Sequence, residues 1–154
     1  MKVEEGEKGK WIALLRGVKF FDGFENREIE LLIEAGSVHH YKFHEFIFKE
    51  KQLDFSFFVL LKGSVKLIKL GVLSEQNDVG KLMEGDCFGE MGLLLQTERT
   101  ASVLAAEECF IFRIDAKDIE KMPESAQKKL YKQFAVSLAQ KLKSATENMV
   151  QPSH

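Results

Sequence analysis

Residues 88–103 read FGEMGLLLQTERTASV, with Gly89 and Glu90 at one end of an apolar run and Arg99 nine residues after Glu90 at the other. Of the 22 lysines and arginines in the chain only four are arginines, so a guanidinium beside a packed segment calls for a chemical reason. Ionised groups in such a place are costly unless something pairs with them. Read as a short helix from about Gly89, the segment offers free backbone N–H groups and a positive dipole end to an anion. Gly89 lets a ligand approach the backbone closely. The same dipole favours a carboxylate, yet Glu90 would repel a phosphate placed against it. Glu90 therefore suits a neutral donor such as a sugar hydroxyl. Arg99 presents a planar fork of donors that matches phosphate, and Thr100 adds a hydroxyl beside it. Anion, sugar hydroxyl and base together imply a nucleotide.

Other constellations are weaker. His39, His40 and His44 invite a metal-site reading of the kind cupin enzymes build on a barrel. Adjacent histidines on a strand point to opposite faces, however, and no H-x-H followed by glutamate is present. No Ser-His-Asp, Cys-His or paired-carboxylate arrangement can be argued from the order of residues, so no enzyme is expected.

Positioning these groups requires a core, and 154 residues with 45% apolar content suffice to build one. A formal net charge of −2 excludes the global basic field that holds nucleic acid. Cys87 and Cys109, without C-x-x-C spacing or a secretory signal, read as reduced thiols of a cytoplasmic protein. No apolar run approaches the roughly 20 residues that span a bilayer. Residues 1–10 are polar and are expected to be a disordered tail. Residues 11–36 read as N-terminal helices, with Asn26 as an N-cap and Gly36 as a stop. Short aromatic and β-branched runs separated by turn signals then predict strands over 37–117. Helical period returns over 118–150, with Pro123 in a first turn and Leu130, Phe134, Leu138, Leu142, Ala145 and Met149 at three- or four-residue spacing. The lysines of that helix form its wet face, and its length is about six turns.

Phe88-Gly89-Glu90, Leu93-Leu94, then Arg99, Ala101 and Val103 at this spacing resemble the phosphate-binding cassette of the cyclic nucleotide-binding domain family, which includes catabolite activator proteins, protein kinase A regulatory subunits and cyclic-nucleotide-gated channels. LLKGSVKLI and MEGDCFGE are similar to the elements leading to that cassette. The resemblance implies an α+β fold: one domain over 1–154, a double-stranded β-helix (jelly-roll) barrel with the cassette at 88–101, flanked by N-terminal helices and a long C-terminal helix. It implies cyclic AMP or cyclic GMP as ligand, no other cofactor and no metal. Phe88, Gly89, Glu90, Met91, Arg99, Thr100 and Ala101 would line the site, with Glu90 on the ribose 2′-hydroxyl and Arg99 on the cyclic phosphate. The C-terminal helix would close over the base and relay the event to a protein partner or a second copy. A helix-turn-helix is absent, so neither DNA nor membrane is an expected partner.

The chain also departs from the family pattern. His44-Glu45-Phe46-Ile47 replaces the usual G-E-x-I, and Lys51-Gln52-Leu53-Asp54-Phe55 replaces a glycine-rich G-D-x-G-D turn. These loops are expected to take other backbone geometries, since positive φ is unfavourable without glycine. Glu98 stands where relatives often have proline and either faces solvent or pairs with Arg99. The competing readings are a ligand-free interaction protein on the same fold, in which Glu90 and Arg99 form an internal pair, and a metal-dependent cupin-type enzyme.

Overall fold

A computed structural model describes residues 2, 5–71, 73 and 76–149. Parts of three stretches read above lie outside the described residues: 1, 3 and 4 of the opening tail, 72, 74 and 75 of the strand region, and 150 of the C-terminal helical region. The chain divides into two compact units, Met1–Met122 and Pro123–His154.

In the first unit a 3-10 turn, Glu5–Glu7, leads directly into α1 (Lys8–Arg16), and Lys2 bridges to His39. Much of the stretch expected to be a disordered tail is therefore structured. Trp11 and Leu15, one turn apart, are both buried, and that packing carries the helix back into polar sequence. Helix α2 (Asn26–Ala35) starts at the expected cap residue, one position early: Glu25, not Asn26, is the N-cap. Glu25 and Glu28 form a capping box in which the Glu25 N–H donates to Glu28 Oε1 at 2.7 Å, so two end donors are satisfied together. Gly36 ends α2 as expected, its N–H donating to the Leu32 carbonyl. Glycine is needed there because a Cβ would lie 2.6 Å from the Phe112 ring.

Eight antiparallel strands follow among the described residues: β1 (Ser37–Tyr41), β2 (Phe46–Phe48), β3 (Ser56–Lys62), β4 (Val65–Leu70), β5 (Gln76–Leu82), β6 (Cys87–Phe88), β7 (Ser102–Ala105) and β8 (Cys109–Asp115). One sheet runs β1-β8-β3-β6 and the other β2-β7-β4-β5, which is the expected jelly roll. Between them lies a core of Phe48, Phe58, Leu60, Val65, Phe88, Val103, Ala105, Cys109 and Ile111. Strand β3 is buried on both faces, which explains its unbroken FFVLL: Phe58 and Leu60 face the barrel, while Phe57 meets Phe20 of the N-terminal helices at 5.2 Å. The strand region ends two residues before its expected limit, because Asp115 caps α4 (Ala116–Glu120) by accepting from the Asp118 N–H at 2.9 Å.

The second unit is α5 (Glu124–Met149), whose 26 residues make roughly seven turns. Pro123 stands just before the helix rather than within it, and its carbonyl accepts from Ala126 and Gln127.

Candidate functional site

The segment singled out first is held by β3. Phe88 pairs with Phe58 across β6 and β3, and their rings stack at 5.1 Å. Gly89 then takes a φ of 90° as N-cap of α3 (Glu90–Leu95). Two constraints demand glycine there: the left-handed backbone, and a Cβ that would lie 2.7 Å from the Ser56 carbonyl. Glu90 follows in the first turn and is only 2% exposed, whereas Met91, Leu94 and Leu95 face outward. Gln96 reverses the chain with a φ of 53°.

Arg99 returns into the barrel and is 4% exposed. Its backbone is clamped to the loop before β3: the Arg99 N–H donates to the Gln52 carbonyl at 2.9 Å, and the Lys51 N–H donates to the Arg99 carbonyl at 2.7 Å. Nη2 donates to the Ser56 carbonyl at 2.7 Å and lies 3.6 Å from Asp54 Oδ1; Nη1 donates to the Gly89 carbonyl at 3.1 Å. The guanidinium carbon stands 4.2 Å from the centre of the Phe48 ring, a cation–π contact. Nε is buried without a hydrogen-bond partner among the described residues. Burial pulls the Arg99 pKa down, and Asp54 followed by Glu90 push it back up. Arginine starts so far above neutrality that it stays charged.

Glu90 and Arg99 are therefore brought into one buried niche, with Gly89 and Phe88 on its wall. Thr100 is exposed, Ala101 half-buried and Met91 exposed. Glu98 faces solvent, and Asp54 is an ionic partner of Arg99. Asp54 is itself shared: Arg113 Nη2 lies 3.4 Å from the same Oδ1, while Arg113 Nε donates to Ser56 Oγ at 2.8 Å.

Sequence reasoning missed Asp54, Ser56, Phe48, Phe58 and Gly92 as parts of this niche. Gly92 had a visible signal, an isolated glycine inside the apolar helix EMGLLL. A Cβ there would overlap the Arg99 guanidinium. The glycine-poor loops also depart from expectation. His44 and Lys51 keep left-handed backbones, with φ of 69° and 71°, where another geometry was expected. The surrounding hydrogen bonds impose it: the His44 N–H donates to the Ala105 carbonyl, and the Lys51 N–H to Arg99.

A sequence profile described as "Cyclic nucleotide-binding domain" matches residues 38–126, more than half of the chain. The chain belongs to the cyclic nucleotide-binding domain family. This family consists of regulatory domains. Among its relatives is the "Cyclic AMP receptor protein" of Thermus thermophilus, 26% identical over 85% of this chain and 60% of that protein. Human "cGMP-dependent protein kinase 2" is 29% identical over 60% of this chain and 12% of the kinase. This chain thus spans three-fifths or less of the length of these relatives. The fold matches a solved cyclic nucleotide-binding domain from Methylobacillus flagellatus with a TM-score of 0.83, covering 100% of this chain and 90% of that one at 15% identity. Among the described residues no three His, Cys, Asp or Glu side chains converge as metal ligands. No helix among them is long and apolar enough to cross a membrane.

Proposed function

We propose that this chain is a regulatory, non-catalytic module that binds one purine 3′,5′-cyclic mononucleotide, cyclic AMP slightly ahead of cyclic GMP, and relays it through its C-terminal helix. The observation that carries the reading is the burial of Glu90 and Arg99 together beside the left-handed Gly89 that opens α3. Two guanidiniums, Arg99 and Arg113, share the single Asp54 carboxylate, and the other acceptors of Arg99 are neutral carbonyls. With Glu90 counted, two guanidiniums stand near two carboxyl groups, so the niche is balanced rather than cationic; in this reading Arg99 turns to a phosphate at the start of α3 and Glu90 to a ribose hydroxyl. Phe88, Gly89, Met91, Thr100 and Ala101 complete the wall of the site in this reading. The lean to cyclic AMP rests on the relative matched over most of this chain, a cyclic AMP receptor by name. Thr100 offers guanine one hydrogen bond, which is worth at most about tenfold. Helix α5, apolar at three- and four-residue spacing, is the element we assign to the relay, toward a protein partner or a second copy.

A ligand-free module on the same fold is the second reading, and one observation favours it: the Arg99 fork already has protein acceptors. Titration calorimetry of nucleotide-free protein with each nucleotide separates the two. Saturable heat at one site per chain supports binding; no heat and no thermal shift with either nucleotide at millimolar concentration overturns it.

A further inference from the structure

Adjoining the Arg99 niche, and sharing Asp54, Ser56 and Phe58 with it, the first unit holds a cavity of about 660 Å³. Its wall combines an apolar side, including Ile47, Leu53 and Phe58, with Tyr41, the cations Arg113 and Lys117, and the carboxylates Asp54, Asp115 and Glu120. The polar groups of this wall divide sharply by whether they are already engaged. Asp54 is held by both arginines and by the Ser56 N–H at 3.1 Å, and Asp115 accepts the capping bond of α4. The donors are different. Arg113 commits Nε and Nη2 to Ser56 and Asp54, so Nη1 remains, and its side chain is 41% exposed. The Tyr41 hydroxyl and the Lys117 ammonium make no hydrogen bond or ion pair among the described residues.

From this division we infer that the cavity is a second ligand site, for a small monoanionic carboxylate with an apolar or aromatic body. Arg113 and Lys117 would meet the carboxylate, Tyr41 would donate to it, and Ile47, Leu53 and Phe58 would receive the body. A monoanion is preferred to a phosphate dianion because Asp54, Asp115 and Glu120 lie in the same wall and penalise each further negative charge. Burial raises the pKa of Tyr41 above the ordinary phenol value, so the hydroxyl keeps its proton. The site does not depend on nucleotide binding at Arg99.

Benzoate and its neutral isostere benzamide are the probes, followed by amide NMR on the intact chain. Benzoate is expected to give saturable shifts at Tyr41, Ala116 and Lys117, with benzamide about tenfold weaker, the value of a charge-assisted contact. Lys117→Gln and Arg113→Gln should each weaken benzoate by about fivefold or more, and Tyr41→Phe by about two- to threefold. Because Arg113 also braces Ser56, folding of its variant is checked first, and where it is lost the exposed Lys117→Gln and the benzoate–benzamide comparison decide. Equal responses to the two probes, no saturable shift at millimolar benzoate, indifference to Lys117→Gln, or shifts centred on Gly89 and Glu90 would each overturn the inference.

Discussion

Arg99 is at once a candidate ligand group and a structural one, so its removal has two separable consequences. Arg99→Ala should abolish most nucleotide affinity, because a partly buried phosphate loses its counter-charge at a cost of ~3 to 5 kcal/mol. Calorimetry measures that loss. Glu90→Gln should cost less, ~1.5 to 3 kcal/mol, the range for a hydrogen bond to a charged group. Equal, full-strength binding by both variants would move the site elsewhere. Gly92 supplies a sharper test, because two rules oppose each other there. Helix propensity says Gly92→Ala should stabilise α3 by about 1 kcal/mol. Overlap of the new methyl with the Arg99 guanidinium says it should destabilise by ~1 to 3 kcal/mol. We expect overlap to win, lowering the urea midpoint and weakening nucleotide binding together.

At the level of elements, β3 and the loop before it organise the niche. That loop supplies two backbone bonds to Arg99 and the carboxylate beside it, yet Lys51 within it holds a φ of 71°. Lys51→Gly should therefore stabilise the protein by about 0.5 to 1 kcal/mol: relief of left-handed strain outweighs the extra freedom glycine gives the unfolded chain. Denaturant unfolding reads this directly, and a destabilised variant would show that the conformation carries no strain. Much of this architecture is legible in the sequence. Alternating apolar runs mark the strands, and FGE with Arg99 marks the segment that forms the buried niche, because both are local patterns of period or spacing. The Asp54–Arg99 contact is not legible, since it joins residues 45 apart through a loop whose glycines are missing. Nor is the cap of α2, where Glu25 and Glu28 act together while Asn26 is the better cap by type alone.

For the whole molecule, nucleotide binding would appear as linkage. A ligand that binds only the folded chain raises its stability by RT ln(1 + [L]/Kd), about 2.7 kcal/mol at a hundredfold excess over Kd. The melting temperature should then climb with the logarithm of cyclic nucleotide concentration. A flat response from wild type would favour the ligand-free reading, and the same slope in Arg99→Ala would place the nucleotide elsewhere.

Trp11 gives the molecule a built-in reporter. It is the only tryptophan in the chain, 3% exposed, 5.2 Å from the Phe110 ring, with Lys10 Nζ 5.0 Å from its own ring. Its indole N–H has no hydrogen-bond partner among the described residues. Native emission should therefore be blue-shifted and should move to the red when α1 leaves β8. Far-ultraviolet circular dichroism follows the backbone as a whole, so the two signals can be compared during one denaturation. A fluorescence transition that precedes the dichroism transition would mean that the N-terminal helix detaches while the sheets are intact. Coincident curves would mean that α1 and the barrel unfold as one cooperative body.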